Sequence, residues 1–220
     1  KLNKRFKLNY PMDIINIGGI TNVTKIISYG DLENNIFAYD IAPGNCLIDE
    51  WLRKNSNKKF DEDGKIANSG KVNDLIFNQA MENFRISSIY RSLDIKNFDL
   101  SFVKGLALED GCATITKFTA FLISEGLQKI DQITNSQTKS YIVCGGGRKN
   151  KTLIKEINKF MINEKIILNN IDQYQVNGDF VESQAFAYIA IKSFLNLPIS
   201  FPNTTRCKKP SSSGKIIKNF

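Results

Sequence analysis

The order of apolar and polar positions gives the chain a β-rich beginning and a helical, then alternating, remainder. Residues 13–41 hold three short runs rich in β-branched and aromatic residues, "DIINI", "NVTKIIS" and "NIFAYDI", separated by "GGI" and by the polar turn "YGDLENN". Such runs between glycine- and asparagine-rich breaks predict strands, and their short connections predict an antiparallel meander. After "APGN" the period changes. Leu47, Ile48, Trp51 and Leu52 recur at the spacing of one helix face, with Pro43 and Asn45 placed to start it. The polar stretch "KNSNKKFDEDGKIANSG" predicts a loop, and "KVNDLIFNQAMENF" a second helix with Val72, Leu75, Ile76, Ala80 and Phe84 turned inward. A less regular connection leads to the longest helical pattern, Leu108 to Ile130, whose small residues Gly111, Ala113, Thr114 and Thr116 suit close packing.

The last third alternates strand "SYIVC", turn "GGGRKN", helix "KTLIKEINKFM", strand "EKIILNN" and helix "VESQAFAYIAIKSFLN". That pattern predicts an α/β layout with crossover helices. The final helix reads as amphipathic, with Ala185, Phe186, Ile189 and Ala190 as its core side. The polar stretch after Phe201, with three consecutive serines, is expected to lie outside the ordered fold.

Composition narrows the chemistry. At 220 residues and 42% apolar content the chain can build a proper core. It has no run of eighteen apolar residues and no signal-peptide pattern, which favours the cytosol. It contains no histidine, so acid–base work falls to Asp, Glu, Lys or Tyr, and Ser-His or Cys-His nucleophile pairs are ruled out. The four cysteines show no C-x-x-C spacing and predict reduced thiols in or near the core, with no zinc site. The net charge of +8 comes from scattered lysines without interleaved aromatics, which predicts a solvated surface and no nucleic-acid groove. It also suits an anionic small substrate such as a nucleotide.

Three stretches carry candidate chemistry. In "VCGGGRKN" an apolar strand ends in Gly145, Gly146 and Gly147 and a helix follows at once, an arrangement that brings backbone N–H groups close to a phosphate. A tight turn needing positive φ explains the same glycines without a ligand, and Asn150 is either a helix cap or a contact to a base or ribose. In "NIGGITN", Gly18 and Gly19 form either an ordinary hairpin turn or the second side of a phosphate-bearing ligand. Neither the dinucleotide-binding G-x-G-x-x-G pattern nor the phosphate-loop G-x-x-x-x-G-K-[ST] pattern is met. Asp40, at the end of the third strand, is either a general base or a cap for the turn that follows. Glu182, in the first turn of the final helix, either complements the helix dipole or accepts a sugar hydroxyl.

Taken together, the stretches "NIGGITNVT", "YDIAPGN" with "CLIDEW", "YRSLD", "CATITKFTA", "GGGRKN", "ESQAFAYIA" and "SFPNTT" resemble the anhydro-N-acetylmuramic acid kinase family, within the actin-like, sugar-kinase and chaperone ATPase superfamily. Their order and spacing agree with the family over nearly the whole chain. The resemblance implies an α/β ribonuclease-H-like (actin-like ATPase) lobe, a mixed β-sheet flanked by helices, over residues 13–201. Residues 1–12 are then the remnant of a preceding lobe or linker and 202–220 a polar tail. It further implies an enzyme that cleaves the 1,6-anhydro bond with water and phosphorylates O6, using ATP and Mg2+. Asp40 would deprotonate the water. Gly18, Gly19, Thr21 and Asn22 would lie by the phosphates, Gly145, Gly146, Gly147 and Asn150 by the nucleotide, and Glu182 and Asn45 by the sugar. The expected partners are the anhydro-amino sugar and ATP, with no nucleic acid and no membrane, and a homodimer is left open. Ile41 and Ala42 depart from the usual Thr and Gly, which places an added methyl beside the expected base. The family's S-G-T-S-x-D-G loop and G-G-Q-G-A-P-L segment do not occur, so half of the phosphate grip is expected to lie in a lobe outside these residues. Two alternatives stay open: a non-catalytic remnant acting as a binding module, and another sugar kinase of the superfamily.

Overall fold

The structure, a computed structural model, describes residues 8–84, 92–138, 140–161, 166–215 and 217. Five strands form one mixed sheet: β1 (Met12–Ile17), β2 (Ile20–Ile26), β3 (Ile36–Pro43), β4 (Ser140–Cys144) and β5 (Ile167–Asn170), in the order β3-β2-β1-β4-β5. The first three make the expected antiparallel meander, with Ile14 opposite Thr24 and Thr24 opposite Ala38. β4 runs parallel to β1, and β5 parallel to β4, so β2 alone opposes the other four.

Between and after the strands lie α1 (Leu32–Asn35), α2 (Cys46–Asn55), α3 (Lys65–Ser69), α4 (Asp74–Asn83), α5 (Leu108–Thr134), α6 (Lys151–Met161), α7 (Val181–Phe194) and α8 (Pro202–Thr205). One face of the sheet, with Ile15, Ile17, Val23, Ile41, Tyr141 and Val143, packs against α2, α5 and α6 through Leu47, Trp51, Ile123, Leu127, Leu153 and Ile157. Side chains of this size each contribute roughly 1.5–3 kcal/mol on full burial. α5 lies at the centre because its small residues let neighbours in. A Cβ on Gly111 would sit 2.2 Å from the Trp51 ring, and one on Gly126 would sit 2.7 Å from Cβ of Ile41. The opposite face carries a smaller cluster of Met12, Ile142, Cys144 and Ile171.

A buried cation anchors the end of the sheet where β1 begins. Lys25 Nζ lies 3.1 Å from Asp13 Oδ2, 2.6 Å from Asp131 Oδ1 and 2.8 Å from Thr138 Oγ1, tying β1 and β2 to the end of α5. Burial pushes the Asp13 carboxyl up to about 6, against the pull of Lys25. Cys46, Cys112 and Cys144 are free and buried, as expected, and burial raises the thiols of Cys46 and Cys144 to about 11.

Four expectations change. The stretch expected as a loop contains a turn of tight helix at Glu62–Gly64 followed by α3, because the Asp61 carboxylate accepts from the N–H groups of Ile66 (2.8 Å) and Ala67 (3.0 Å) and so caps a helix start. Leu75 is 80% exposed. The inward stripe of α4 runs through Phe77, Ala80 and Phe84, and a residue two positions before Phe77 falls on the far side of the helix. α7 forms where expected but buries no residue on any side. The start of the C-terminal stretch, residues 202–206, is docked rather than loose: α8 packs on β3, Arg206 stacks 4.6 Å from the Tyr39 ring centre, and its Nη2 donates to the Ala38 carbonyl at 3.1 Å.

Candidate active site

Three turns meet at the C-terminal ends of β1, β3 and β4, the edge at which open α/β sheets take their ligands. The Gly18 carbonyl accepts from Asn45 N at 2.8 Å, and the Gly19 carbonyl accepts from Gly44 N at 2.9 Å and Cys46 N at 3.2 Å. The first turn is thereby fastened to the start of α2. Gly44 is demanded by that contact, since a Cβ there would sit 2.2 Å from the Gly18 carbonyl oxygen.

The remaining glycines separate into two groups. Gly145 has φ +78°, and a Cβ on it would lie 2.3 Å from Asn16 Oδ1; a Cβ on Gly147 would lie 2.2 Å from Ile17 Cγ2. Packing and backbone conformation account for both. Gly19 is different: no atom lies within 4 Å of its Cβ position and its φ is outside the left-handed region. Gly146 would meet only Asn45 Nδ2 at 3.7 Å, and Gly18 only the Ile20 carbonyl at 3.5 Å, both ordinary contacts. At Gly18, Gly19 and Gly146, then, the missing side chains leave open space that the fold does not require. The Asn45 side chain makes no cap on α2, so the first turn of that helix keeps N–H groups available beside the opening.

Below the turns a polar row crosses the sheet on the face away from α5. Register places Cys144 beside Asn16, Asn16 beside Asn22, and Asn22 beside Asp40. A bulge in β3 sets the row: Asp40 pairs with Asn22 and Ala42 with Thr21, so Ile41 is the extra residue. Ile41 and Ala42 are both fully buried, with Ile41 against Gly126 of α5. The expectation of an added methyl beside Asp40 is therefore corrected, because the bulge sends both side chains into the core. Asp40 is half-buried, and its Oδ2 accepts from Leu93 N at 3.0 Å. The Asn22 side chain has no partner among the described residues.

Of the other predicted residues, Thr21 is fully buried and its hydroxyl donates to the Pro43 carbonyl at 3.1 Å, so it holds the strand end and is not open to a phosphate. Asn150 resolves in favour of the cap: it is buried, and its Oδ1 accepts from Leu153 N at 2.9 Å. Asn45 lies between two of the turns. Glu182 is exposed in the first turn of α7 and makes no hydrogen bond or ion pair with a described residue. Tyr90 and Arg91 of "YRSLD" lie outside the described residues. Sequence reasoning missed Asn16 and Gly44; a polar residue alternating with Met12 and Ile14 on one face of β1 was the available signal for Asn16. It also missed Arg148, whose Nε lies 2.9 Å from Asp172 and whose Nη1 donates to the Gly145 carbonyl at 3.0 Å. A cavity of about 810 Å³ lies elsewhere, between α6 and β5, and holds none of the predicted site residues.

Among the described residues no group of three or more His, Cys, Asp or Glu could hold a metal ion, and no helix is long and apolar enough to cross a membrane. The sheet order, the single opposing strand and the turns at the strand ends define a ribonuclease-H-like lobe of the actin-like ATPase kind. Residues 7–219 match the family described as anhydro-N-acetylmuramic acid kinase, and the chain belongs to that family. A relative from Pelagibacter ubique (strain HTCC1062) is 48% identical over 216 residues, covering 97% of this chain and 57% of the relative. One from Zymomonas mobilis subsp. mobilis is 35% identical over 209 residues, covering 94% and 54%. Both carry the name anhydro-N-acetylmuramic acid kinase, and the chain spans little more than half of their length. A solved structure, the activator of the 2-hydroxyisocaproyl-CoA dehydratase from Clostridium difficile with bound ADPNP, is similar at 16% identity and a TM-score of 0.44, over 74% of this chain and 55% of that one.

Proposed function

We propose that this lobe forms one wall of the active site of a cytoplasmic kinase that opens the 1,6-anhydro ring of anhydro-N-acetylmuramic acid and phosphorylates O6, with ATP as donor, in peptidoglycan recycling. The observation that carries this reading is the open space at Gly18, Gly19 and Gly146 directly above the Asp40–Asn22–Asn16 row. Backbone N–H groups and the start of α2 suit the phosphates, and the row suits a sugar and a water.

In this reading the Leu93 N–H holds one oxygen of Asp40, and the other accepts a proton from water. The water oxygen bonds to the anomeric carbon, the bond from that carbon to O6 breaks, and O6 takes the γ-phosphoryl group as ADP leaves. Asn22, whose side chain has no partner among the described residues, orients the water or a ring hydroxyl. Magnesium would be held largely by the phosphates and waters, and when bound it would neutralise charge on the β and γ oxygens, which leaves Asp40 to act on the water. The second half of the phosphate grip would come from another lobe.

The test is an assay for N-acetylmuramic acid 6-phosphate by mass spectrometry, with ATP, magnesium and the anhydro-sugar. It is run on this chain alone and co-expressed with the unmatched part of the Pelagibacter relative. Product is expected from the combination and not from the chain alone, with Asp40→Asn lowering turnover about 10²–10⁴-fold. Unchanged turnover in Asp40→Asn would sink the role of Asp40. Turnover of other sugars but not the anhydro-sugar would move the reading to a different sugar kinase.

A further inference from the structure

The cavity of about 810 Å³ between α6 and β5 has the size of a small-molecule site. β5 is the last strand of the sheet, so the cavity opens at a sheet edge, away from the Asp40–Asn22–Asn16 row. Its walls are aliphatic: Val143 of β4, Ile154 of α6, and Ile166, Ile167 and Leu168 at β5. Ile167 is 60% exposed. No lining residue is aromatic, so a nucleobase finds no stacking platform there.

The charge is of one sign. Arg148, Lys151, Lys155 and Lys159 line the cavity and no carboxylate does. A cleft with cations on low-dielectric walls concentrates a positive potential. Two of the four are already engaged, Arg148 with Asp172 at 2.9 Å and Lys159 with Glu156 at 2.5 Å. Lys151 and Lys155 are exposed and form no ion pair with a described residue. The helix itself gains nothing from a cation at either position. Lys151 is the first residue of α6, the end at which the helix dipole disfavours positive charge, and lysines at i, i+4 and i+8 repel one another. A bound anion reverses both effects. Four helical residues rise about 6 Å, which puts the two ammonium groups within reach of a pair of anionic groups on one short ligand.

We propose that this cavity is a binding site for a small organic bisphosphate with an aliphatic body, separate from the nucleotide site. The body lies against Val143, Ile154 and Leu168, the two phosphates meet Lys151 and Lys155, and the exposed amide of Asn158 adds a neutral donor. Lysine binds phosphate as a point charge, whereas carboxylates are best gripped by a free guanidinium, and Arg148 is already committed to Asp172 and to the Gly145 carbonyl. The proposal does not depend on the kinase reading, because none of these residues belongs to the glycine turns or the polar row.

The test titrates this chain with hexane-1,6-diol bisphosphate, hexyl phosphate and inorganic phosphate at physiological salt, read by calorimetry and by amide chemical shifts. The bisphosphate should bind about tenfold or more tightly than hexyl phosphate, and inorganic phosphate more weakly still, with shifts confined to 151–159 and 166–170. Lys151→Gln with Lys155→Gln should lower bisphosphate affinity about tenfold or more at an unchanged melting temperature, while Lys58→Gln with Lys59→Gln, an exposed pair elsewhere on the surface, should leave it as it was. Equal loss in the two double variants means non-specific attraction to a basic surface and overturns the proposal. Shifts that fall outside α6 and β5 overturn it as well. So does one-for-one displacement of the bisphosphate by magnesium-ATP with shifts at 145–147, which would make the cavity an extension of the nucleotide site.

Discussion

α5 and α7 both carry long runs of apolar positions, and they end in opposite environments. α5 buries 15 of its 27 residues, whereas α7, with 14, buries none. The difference lies in their surroundings. α5 presents Gly111 to Trp51 and Gly126 to Ile41, so neighbours approach closely, and α2, α6 and the sheet surround it. α7 presents large aromatic residues, and among the described elements it chiefly meets the short turn that leads into it. An apolar stripe states that a face needs cover; it does not state that the cover comes from the same lobe.

The sharpest way to break this contrast is at the anchor of α5. Lys25→Ala removes the cation between Asp13 and Asp131, and a broken buried pair costs about 3–5 kcal/mol, to be read by urea denaturation. Next, Leu127→Ala in α5 should cost about 2–5 kcal/mol. Phe194→Ser in α7 should change the stability of the same chain by under about 0.5 kcal/mol. Equal losses at Leu127 and Phe194 would mean that α7 is packed by its own lobe.

A matched pair tests the same logic within the site. Gly145→Ala, at positive φ and against Asn16, should destabilise by about 1–3 kcal/mol. Gly19→Ala should leave the melting temperature nearly unchanged yet weaken nucleotide binding by the assembled enzyme, measured by calorimetry. If Gly19→Ala unfolds the chain, the turn is structural after all.

A further expected effect is in the pH dependence of stability. The folded-state Asp13 carboxyl, at about 6, keeps its proton to higher pH than its ordinary value of 3.8 allows in the unfolded chain. The folded chain thus binds more protons between these values, so this group makes stability fall as pH rises from about 4 to about 6 and adds no slope above that. Denaturation midpoints at several pH values should show a shallower fall in Asp13→Asn. Asp49, raised to about 6 chiefly by burial, contributes in the same direction and provides a second substitution for comparison.

The strands and long helices were legible because period and length agree: the meander, the α2 stripe through Trp51 and the turn before α6 all lie where the pattern placed them. Asp61 was not, because a carboxylate capping a helix start five residues away looks in sequence like one more charge in a polar stretch. Asn150 and Thr21 could not be assigned from sequence either, since cap and ligand contact use the same atoms and only the observed partners separate them. The two kinds of glycine were equally indistinguishable until the space around each was known. The exposure of α7 was hidden for a further reason: amphipathic periodicity contains no information about which polypeptide supplies the other side.

The bulge at Ile41 changes how sequence differences at this position should be interpreted. Because it offsets the alternation of β3 by one step, residue 41 answers to the volume left at position 126 of α5, while residue 40 faces the row of Asn22 and Asn16 on the other side of the sheet. A larger or smaller side chain at 41 is then a matter of fit with its helical neighbour, and substitutions there should travel with compensating changes at 126. Two adjacent letters of the chain thus meet unrelated constraints, one set by the interior and the other by the opposite face of the sheet.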